Sequence, residues 1–351
     1  MNNVRVAVCL VTYNQEKYIE QAINSIWLQK TTFPVDVVVG NDCSTDDTAN
    51  VLWRIAKSPI ARGGVKIFNR SKNLGVVANT VDLFQYIISQ GYTYVAMLDG
   101  DDWWSDENKL QMQVKLLEEN PTYSFCYTRG GIYNEKKRIL NHSESMQKPS
   151  GDIFSTMIHN YQILNGTVMH RVAFLKNIDW EELLSYELLY LDYPTNVMMA
   201  AKGPVGYIDK ETYIWRRGIA SVTAPDSWQK AYAHINTEVN QGLFLKSKYP
   251  KTSYDIPLSA IEEFKLWRMY EDACRLRNYN VIQDVLSRPN FPIKRLYRRP
   301  ETKYLRYKIL FLFYIYVVKR LNTLLSLLYE KKKNIIHHYR ISRWGGREST
   351  C

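Results

Sequence analysis

The chain has 351 residues, an apolar fraction of 46% and a formal charge of +11. That length suits one large α/β domain with an appendage, or two modest domains, and the composition supplies a sizeable core. The five cysteines (Cys9, Cys43, Cys126, Cys274 and Cys351) are scattered without CxxC spacing. This argues against a zinc ribbon or disulfide framework and fits a reducing cytosol. Residues 294–351 hold 15 Lys/Arg against 3 Asp/Glu, a surplus of 12 that leaves residues 1–293 at about −1. The positive charge therefore belongs to the tail. Met1-Asn2-Asn3 runs directly into an apolar segment, so no signal peptide is expected.

Strand and helix signals alternate through the first half. Val4–Val11 is a near-continuous apolar strand ended by Thr12-Tyr13-Asn14-Gln15, and Ile19, Ala22, Ile23 and Ile26 mark one buried helix face. Val35–Val39 predicts the second strand. Ser44-Thr45-Asp46-Asp47 then reads as a capping box opening the second helix. Val65–Phe68 is a short third strand and Gly75–Ser89 a third helix. Tyr94–Leu98 is the fourth strand, broken at Asp99-Gly100-Asp101-Asp102, after which Leu110, Val114 and Leu117 keep helical spacing. Such alternation predicts an α/β fold with a mostly parallel, Rossmann-like sheet.

Polar residues follow the carboxyl end of each strand, where open α/β sheets place their ligands. Three carboxylates gathered at the fourth strand repel one another unless a cation sits among them; a hard divalent ion bridging to phosphates is the natural partner. The plain alternative is a solvated acidic turn capping the next helix. No GxGxxG follows the first strand and no GxxxxGK[ST] occurs anywhere, so dinucleotide and P-loop binding are poorly supported.

The segments VTYNQEKYIEQAINSIWLQ, VVVGNDCSTDDT, NRSKNLG and YVAMLDGDDWWSDENKLQMQ, in that order, resemble a bacterial family-2 glycosyltransferase of GT-A fold. The resemblance covers roughly residues 4–220 and implies an inverting, metal-dependent transferase taking a nucleoside-diphosphate sugar. It implies that Thr12, Tyr13, Asn14 and Glu16 line the nucleotide pocket, that Asp42 holds the base (commonly uracil), and that Asn73 and Gly75 border the ribose and diphosphate. Asp99, Gly100 and Asp101 form the DxD segment, with Asp101 the direct ligand of Mg2+ or Mn2+ and Asp99 its partner. Asp102, Trp103, Arg216 and Arg217 are expected near the diphosphate or the acceptor. Three departures stand out, one of them Leu191 beside Asp192, where the family's acidic motif has Glu. Ala78 precedes Asn79 where relatives carry Arg, leaving Arg70 or Lys72 to substitute, and no His lies between His170 and His234 to complete a metal shell.

Further along, Tyr123–Thr128 predicts a strand, Arg129–Gly151 a polar excursion, and Ile163–Met169 another strand. Val205–Ile208 and Thr212–Trp215 predict a strand pair. Leu191-Asp192-Tyr193-Pro194 precedes a helix and resembles the family's acidic motif, implying that Asp192 is the catalytic base. A helix N-cap before Pro is the bland reading, and the two roles are compatible. The expected organisation is a catalytic domain over 1–222 (nucleotide half 1–128, acceptor half 129–222) and a helical, basic region over 223–351.

In that tail, Trp228–Tyr249 and Ile261–Leu286 read as helices, and Ile309–Val318 is a ten-residue apolar run. Ten helical residues span about 15 Å, half of a bilayer's roughly 30 Å, so a spanning helix is not expected. A basic amphipathic segment ending in Lys331-Lys332-Lys333 suits an anionic membrane surface; packing on the catalytic domain or a dimer contact competes with it. Nucleic-acid binding is not expected. The expected setting is cytoplasmic, at the inner face of the cell membrane, with a glycan or lipid-linked acceptor. A sugar nucleotidyltransferase and an inactive nucleotide-sugar binding module are the alternatives; the first should carry a Gly-rich amino-terminal signature, which Met1–Asn14 lacks.

Overall fold

The computed structural model describes residues 4–58, 64–145, 148–218, 225–250 and 257–292. Contacts group Met1–Phe291 into one unit and Pro292–Cys351 into another. The apolar run at 309–318 and the lysines at 331–333 lie outside the described residues.

The elements in chain order begin with β1 (Val6–Thr12), α1 (Ile19–Trp27), β2 (Val35–Asn41), α2 (Thr48–Ala56), β3 (Val65–Asn69), α3 (Val76–Ser89) and β4 (Tyr94–Asp99). Then come β5 (Trp103–Trp104), α4 (Lys109–Glu119), β6 (Phe125–Asn134), β7 (Ile139–Asn141), α5 (Phe154–His159), a 3-10 turn (Asn165–Thr167) and β8 (Met169–Arg171). The rest are α6 (Val172–Leu175), α7 (Trp180–Leu184), α8 (Asp192–Ala200), β9 (Val205–Arg217), α9 (Trp228–Lys248), α10 (Leu258–Arg275) and α11 (Tyr279–Ser287). The strands form one mixed sheet in the order β3-β2-β1-β4-β8-β6-β9-β5, with β7 on β6. β3, β2, β1 and β4 are mutually parallel. β8 runs antiparallel between β4 and β6, and β9 runs parallel to β6.

The uninterrupted apolar run of β1 has a simple cause: both faces of the sheet are covered. Val6, Val8 and Leu10 face α1, α2 and α4 through Ile19, Ile23, Leu52 and Leu110. Ala7, Cys9 and Val11 face the opposite core, built from Val77, Val81 and Phe84 of α3 and Val197 and Met199 of α8. Phe244 and Leu245 of α9 join that second core, so this helix packs into the interior built on one face of the sheet. Fully burying each such aliphatic or aromatic side chain stabilises the fold by about 1.5–3 kcal/mol.

The structure departs from the sequence expectation in four places. The polar stretch after Thr128 continues as β6 to Asn134, because Arg129 is partnered by Asp209 and the backbone pairs with β9. The expected strand pair over 205–215 is one continuous strand, β9. Within the expected strand at 163–169, Asn165–Thr167 forms the 3-10 turn and only Met169 lies in a strand, β8. The four-residue capping box does not form: Asp46 accepts the Thr48 N–H at 3.0 Å, and the Asp47 N–H goes to Glu16 at 2.9 Å.

Candidate active site

The sequence order switches between β1 and β4, so the carboxyl ends of these strands open a crevice, the usual ligand position in such sheets. The loops after β1 and β2 are laced together across it. Asn14, held at φ 53°, donates its N–H to Ser44 Oγ at 2.9 Å and accepts the Thr45 N–H at 2.8 Å. The Glu16 N–H donates to Asp46 at 3.1 Å, the reciprocal of the Glu16–Asp47 bond. Asn14 and Glu16 are thus loop clasps as placed. Tyr13 projects from the same loop with 46% of its surface exposed.

Asp42 is buried just past β2 and accepts the Leu74 and Gly75 N–H groups at 2.7 and 2.9 Å. The Asn73 amide donates to the Asp42 carbonyl at 3.2 Å. These bonds bring Asp42, Asn73 and Gly75 together at the start of α3. An ionised carboxylate has about four acceptor sites, so capacity remains. Arg70 donates to Asn79 at 3.1 Å and pairs with Asp82, while Asn79 is itself buried and donates to the Gly40 carbonyl at 2.9 Å.

At the end of β4 the three carboxylates take different positions. Asp99 is pushed up to about 7, first by burial and then by Asp101; Asn165 donates to it at 3.5 Å. Asp101 is raised by burial, opposed by the Arg216 charge and a Gln15 side-chain hydrogen bond. Asp102 turns inward, where its carboxylate accepts the Tyr213 hydroxyl and the Arg216 N–H, the latter at 2.7 Å. Gly100 lets the turn close on β1: a Cβ there would collide with Gln15 Oε1 and with Thr12. Its N–H donates to the Val11 carbonyl at 2.9 Å.

Arg216 also turns inward. It donates to the Asp101 carbonyl at 2.8 Å, to Gln21 at 2.6 Å and to Glu135, among the rings of Tyr18, Trp103 and Tyr133. Arg217 is exposed and lies over Trp215, its guanidinium carbon 4.7 Å from the ring centroid. Of the four residues expected near diphosphate or acceptor, Asp102 and Arg216 are therefore internal braces, Trp103 is part of the cage around Arg216, and Arg217 faces outward.

Asp192 opens α8. Burial pushes it up to about 6, against the backbone N–H groups of Tyr193 and Asp192 and the Tyr161 hydroxyl, which hydrogen-bond to it. Its charge adds a small upward push at Asp99. Sequence reading missed Tyr161, Asn165 and Asn196. The i, i+4 spacing of Asp192 and Asn196 was a usable signal for the last of these; nothing local marks Tyr161.

The residues suit a divalent cation. Asp99 and Asp101 are carboxylates raised by burial, and the buried oxygens Thr12 Oγ1 and Gln15 Oε1 beside Gly100 lack hydrogen-bond partners. All are hard oxygen donors of the kind Mg2+ and Mn2+ take. Among the described residues no group of three or more His, Cys, Asp or Glu side chains is arranged to hold a metal, so ligand or water oxygens would have to complete the coordination.

Together the fold and site define an α/β protein with a carboxylate-lined candidate site at the carboxyl ends of β1 and β4. Residues 7–181 match the family model described as glycosyl transferase family 2, and the chain belongs to that family. An uncharacterized protein of Mycobacterium tuberculosis is 25% identical over 232 residues, covering 65% of this chain and 61% of the relative. An uncharacterized glycosyltransferase of Rickettsia conorii is 27% identical over 271 residues, covering 76% of this chain and 42% of its own length. The chain thus aligns to less than two thirds of either relative. The crystal structure of S. aureus TarS 1–349 in complex with UDP-GlcNAc superposes with a TM-score of 0.52 at 18% identity, covering 76% of this chain and 73% of TarS. That likeness establishes a shared fold.

Proposed function

We propose that the protein is a metal-dependent, inverting glycosyltransferase that moves a hexosyl or N-acetylhexosaminyl group from a nucleoside diphosphate, a UDP-sugar first of all, to a hydroxyl of a glycan or lipid-linked acceptor. The observation that carries this reading is the turn after β4, where Asp99 and Asp101 flank Gly100 beside the unpartnered buried oxygens Thr12 Oγ1 and Gln15 Oε1, together with Asp192 at the start of α8, raised to about 6 by burial. A carboxylate with that pKa is a competent base near neutrality.

Asp192 takes the acceptor hydroxyl proton as the oxygen attacks the anomeric carbon from the face opposite the nucleotide. The carbon–oxygen bond to the diphosphate breaks and its electron pair leaves with the phosphate oxygen. One carboxylate on the attacking side gives inversion. A divalent cation held by Asp101 and Asp99 would offset the charge growing on the diphosphate. The UDP-GlcNAc bound by TarS, which shares the fold, supports a uridine nucleotide as the first donor to try. Tyr13 is assigned to the base, with Asp42, Asn73 and Gly75 bordering the nucleoside. Thr12, Asn14 and Glu16 shape the loop that carries Tyr13.

Assembly of bacterial surface polysaccharide at the inner face of the membrane completes the proposal, with residues 1–222 as the catalytic domain. The basic tail, including Lys331-Lys332-Lys333, would supply attraction to anionic lipid. Among the described residues no helix is long and apolar enough to cross a membrane.

A panel of UDP- and GDP-sugars, with and without Mn2+, tests the reading on the wild type and on Asp192→Asn. The expected result is cation-dependent release of one nucleotide by the wild type. Asp192→Asn should retain donor binding and lose turnover by about 10²–10⁴-fold. Normal turnover in Asp192→Asn would remove the base from the proposal; donor binding with neither transfer nor hydrolysis in the wild type would leave a binding module.

A further inference from the structure

Behind Asp192 lies a hydrogen-bonded chain that no part of the reaction above uses. Its far end is His170 on β8, buried between the rings of Phe84 and Phe125, whose centroids are 6.2 and 5.7 Å away. His170 Nε2 donates to Asn196 Oδ1 at 2.6 Å. The Asn196 amide nitrogen, one turn along α8 from Asp192, donates to the Tyr161 hydroxyl at 2.7 Å. That hydroxyl acts on the Asp192 carboxylate, lowering its pKa while Asp192 raises that of Tyr161. The Tyr161 ring also packs on Tyr193, at 5.2 Å between centroids.

The direction of each bond is set by the one before it. Burial holds His170 at about 4, so it stays neutral near pH 7. A neutral imidazole has one N–H, and an amide oxygen can only accept, so that N–H sits on Nε2. Its oxygen committed, Asn196 offers Tyr161 only its NH2 group. The Tyr161 oxygen receives that donor, and its own proton is left for Asp192. We propose that Tyr161 is a positioning residue for Asp192, aimed by Asn196 and His170. It keeps a donor on the carboxylate and so favours the ionised form that burial disfavours. This inference rests on the reading of Asp192 as the base.

Other groups acting on Asp192 are Asp99 from the end of β4, and Tyr190 and Tyr193 beside it in sequence. None of them is altered by Tyr161→Phe, which removes one oxygen and keeps the ring.

The test uses the full chain. In the unliganded protein, 13C NMR of the aspartate carboxyls, with Asp192→Asn giving the assignment, should show Asp192 titrating at higher pH in Tyr161→Phe than in wild type. With the donor that gives the fastest nucleotide release in the panel, kcat at pH 7 should fall about tenfold while KM for the donor stays within twofold, and the acidic limb of kcat should move to higher pH. Asn196→Ala, which frees Tyr161 without touching its hydroxyl, should shift the limb the same way by less. Its unfolding midpoint, measured in parallel, separates this from loss of fold. An unchanged Asp192 titration in Tyr161→Phe, or a fall in kcat with the limb unmoved, overturns the inference. Should Asp192→Asn turn over normally while Tyr161→Phe still shifts the Asp192 titration, the base assignment fails and the chain stands.

Discussion

Asp192 is subject to two opposed influences. Burial in the crevice favours its neutral form, while the start of α8 and the Tyr161 hydroxyl favour the anion; burial wins, leaving it at about 6. As the proposed base, Asp192 must be ionised to work, so kcat/KM should fall about tenfold per pH unit below about pH 6 and level off above it. A profile from pH 4.5 to 8 reads this directly, and a limb at the ordinary aspartate value near 4 would mean that the carboxylate is not desolvated as placed. The sequence showed which residue to examine, because Asp192 precedes a Pro-containing helix start in the right order after the DxD turn. It did not show what supports that residue. Tyr161 lies 31 positions away and His170 lies on another strand, so their meeting is a product of the sheet order, which no local pattern encodes.

At the scale of elements, the turn from β4 to β5 is sorted by β9. In sequence Asp99, Asp101 and Asp102 look interchangeable. The pairing of Trp103 and Trp104 with Ile214 and Tyr213 turns Asp102 toward the Tyr213 hydroxyl and the Arg216 N–H. Gly166 makes room for the same tyrosine, since a Cβ there would fall within the Tyr213 ring. Asp102→Ala would strand two buried donors at about 1–3 kcal/mol each, so urea unfolding should show a loss of about 2–6 kcal/mol. Asp101→Ala should change stability far less, because it relieves repulsion with Asp99, yet should abolish the thermal shift that Mn2+ gives in the presence of UDP. Identical behaviour of the two variants would contradict this division. β9 itself was only half legible: Asp209-Lys210-Glu211 reads as a turn, and it stays extended because Arg129, Asp106 and His142 pair with those charges.

Across the whole molecule, the raised carboxylates leave a signature in stability. Asp99 at about 7 and Asp192 at about 6 hold protons in the folded state that the unfolded chain, near 3.8, has already released. Folding is therefore favoured as pH falls through 7 and 6, and that advantage is lost as pH rises. His170 opposes it with one proton, since it is at about 4 when folded and 6.5 when unfolded. The carboxylates outnumber it, and Asp101 and Asp102 are raised as well. Without metal, the unfolding midpoint should rise from pH 7.5 to 5.5, by at most about 1.4 kcal/mol per pH unit for each net proton. A falling midpoint over that range would count against the site as described. The parallel half of the sheet was legible because its strands are apolar on both faces and its helices repeat at 3.6 residues. The mixed half was less so, since β6 and β9 alternate half-exposed polar residues with short apolar pairs.

The Arg216 cage ties three segments of the chain together. A single guanidinium reaches Gln21 on α1, the Asp101 carbonyl on the acidic turn and Glu135 past β6, as the wedge at the crown of an arch takes thrust from both sides. Lysine carries the same charge on one nitrogen and has no planar fork to meet three separated segments. The mouth of the crevice is thus framed by a cation the polypeptide brings with it, and its outline is set by the chain alone.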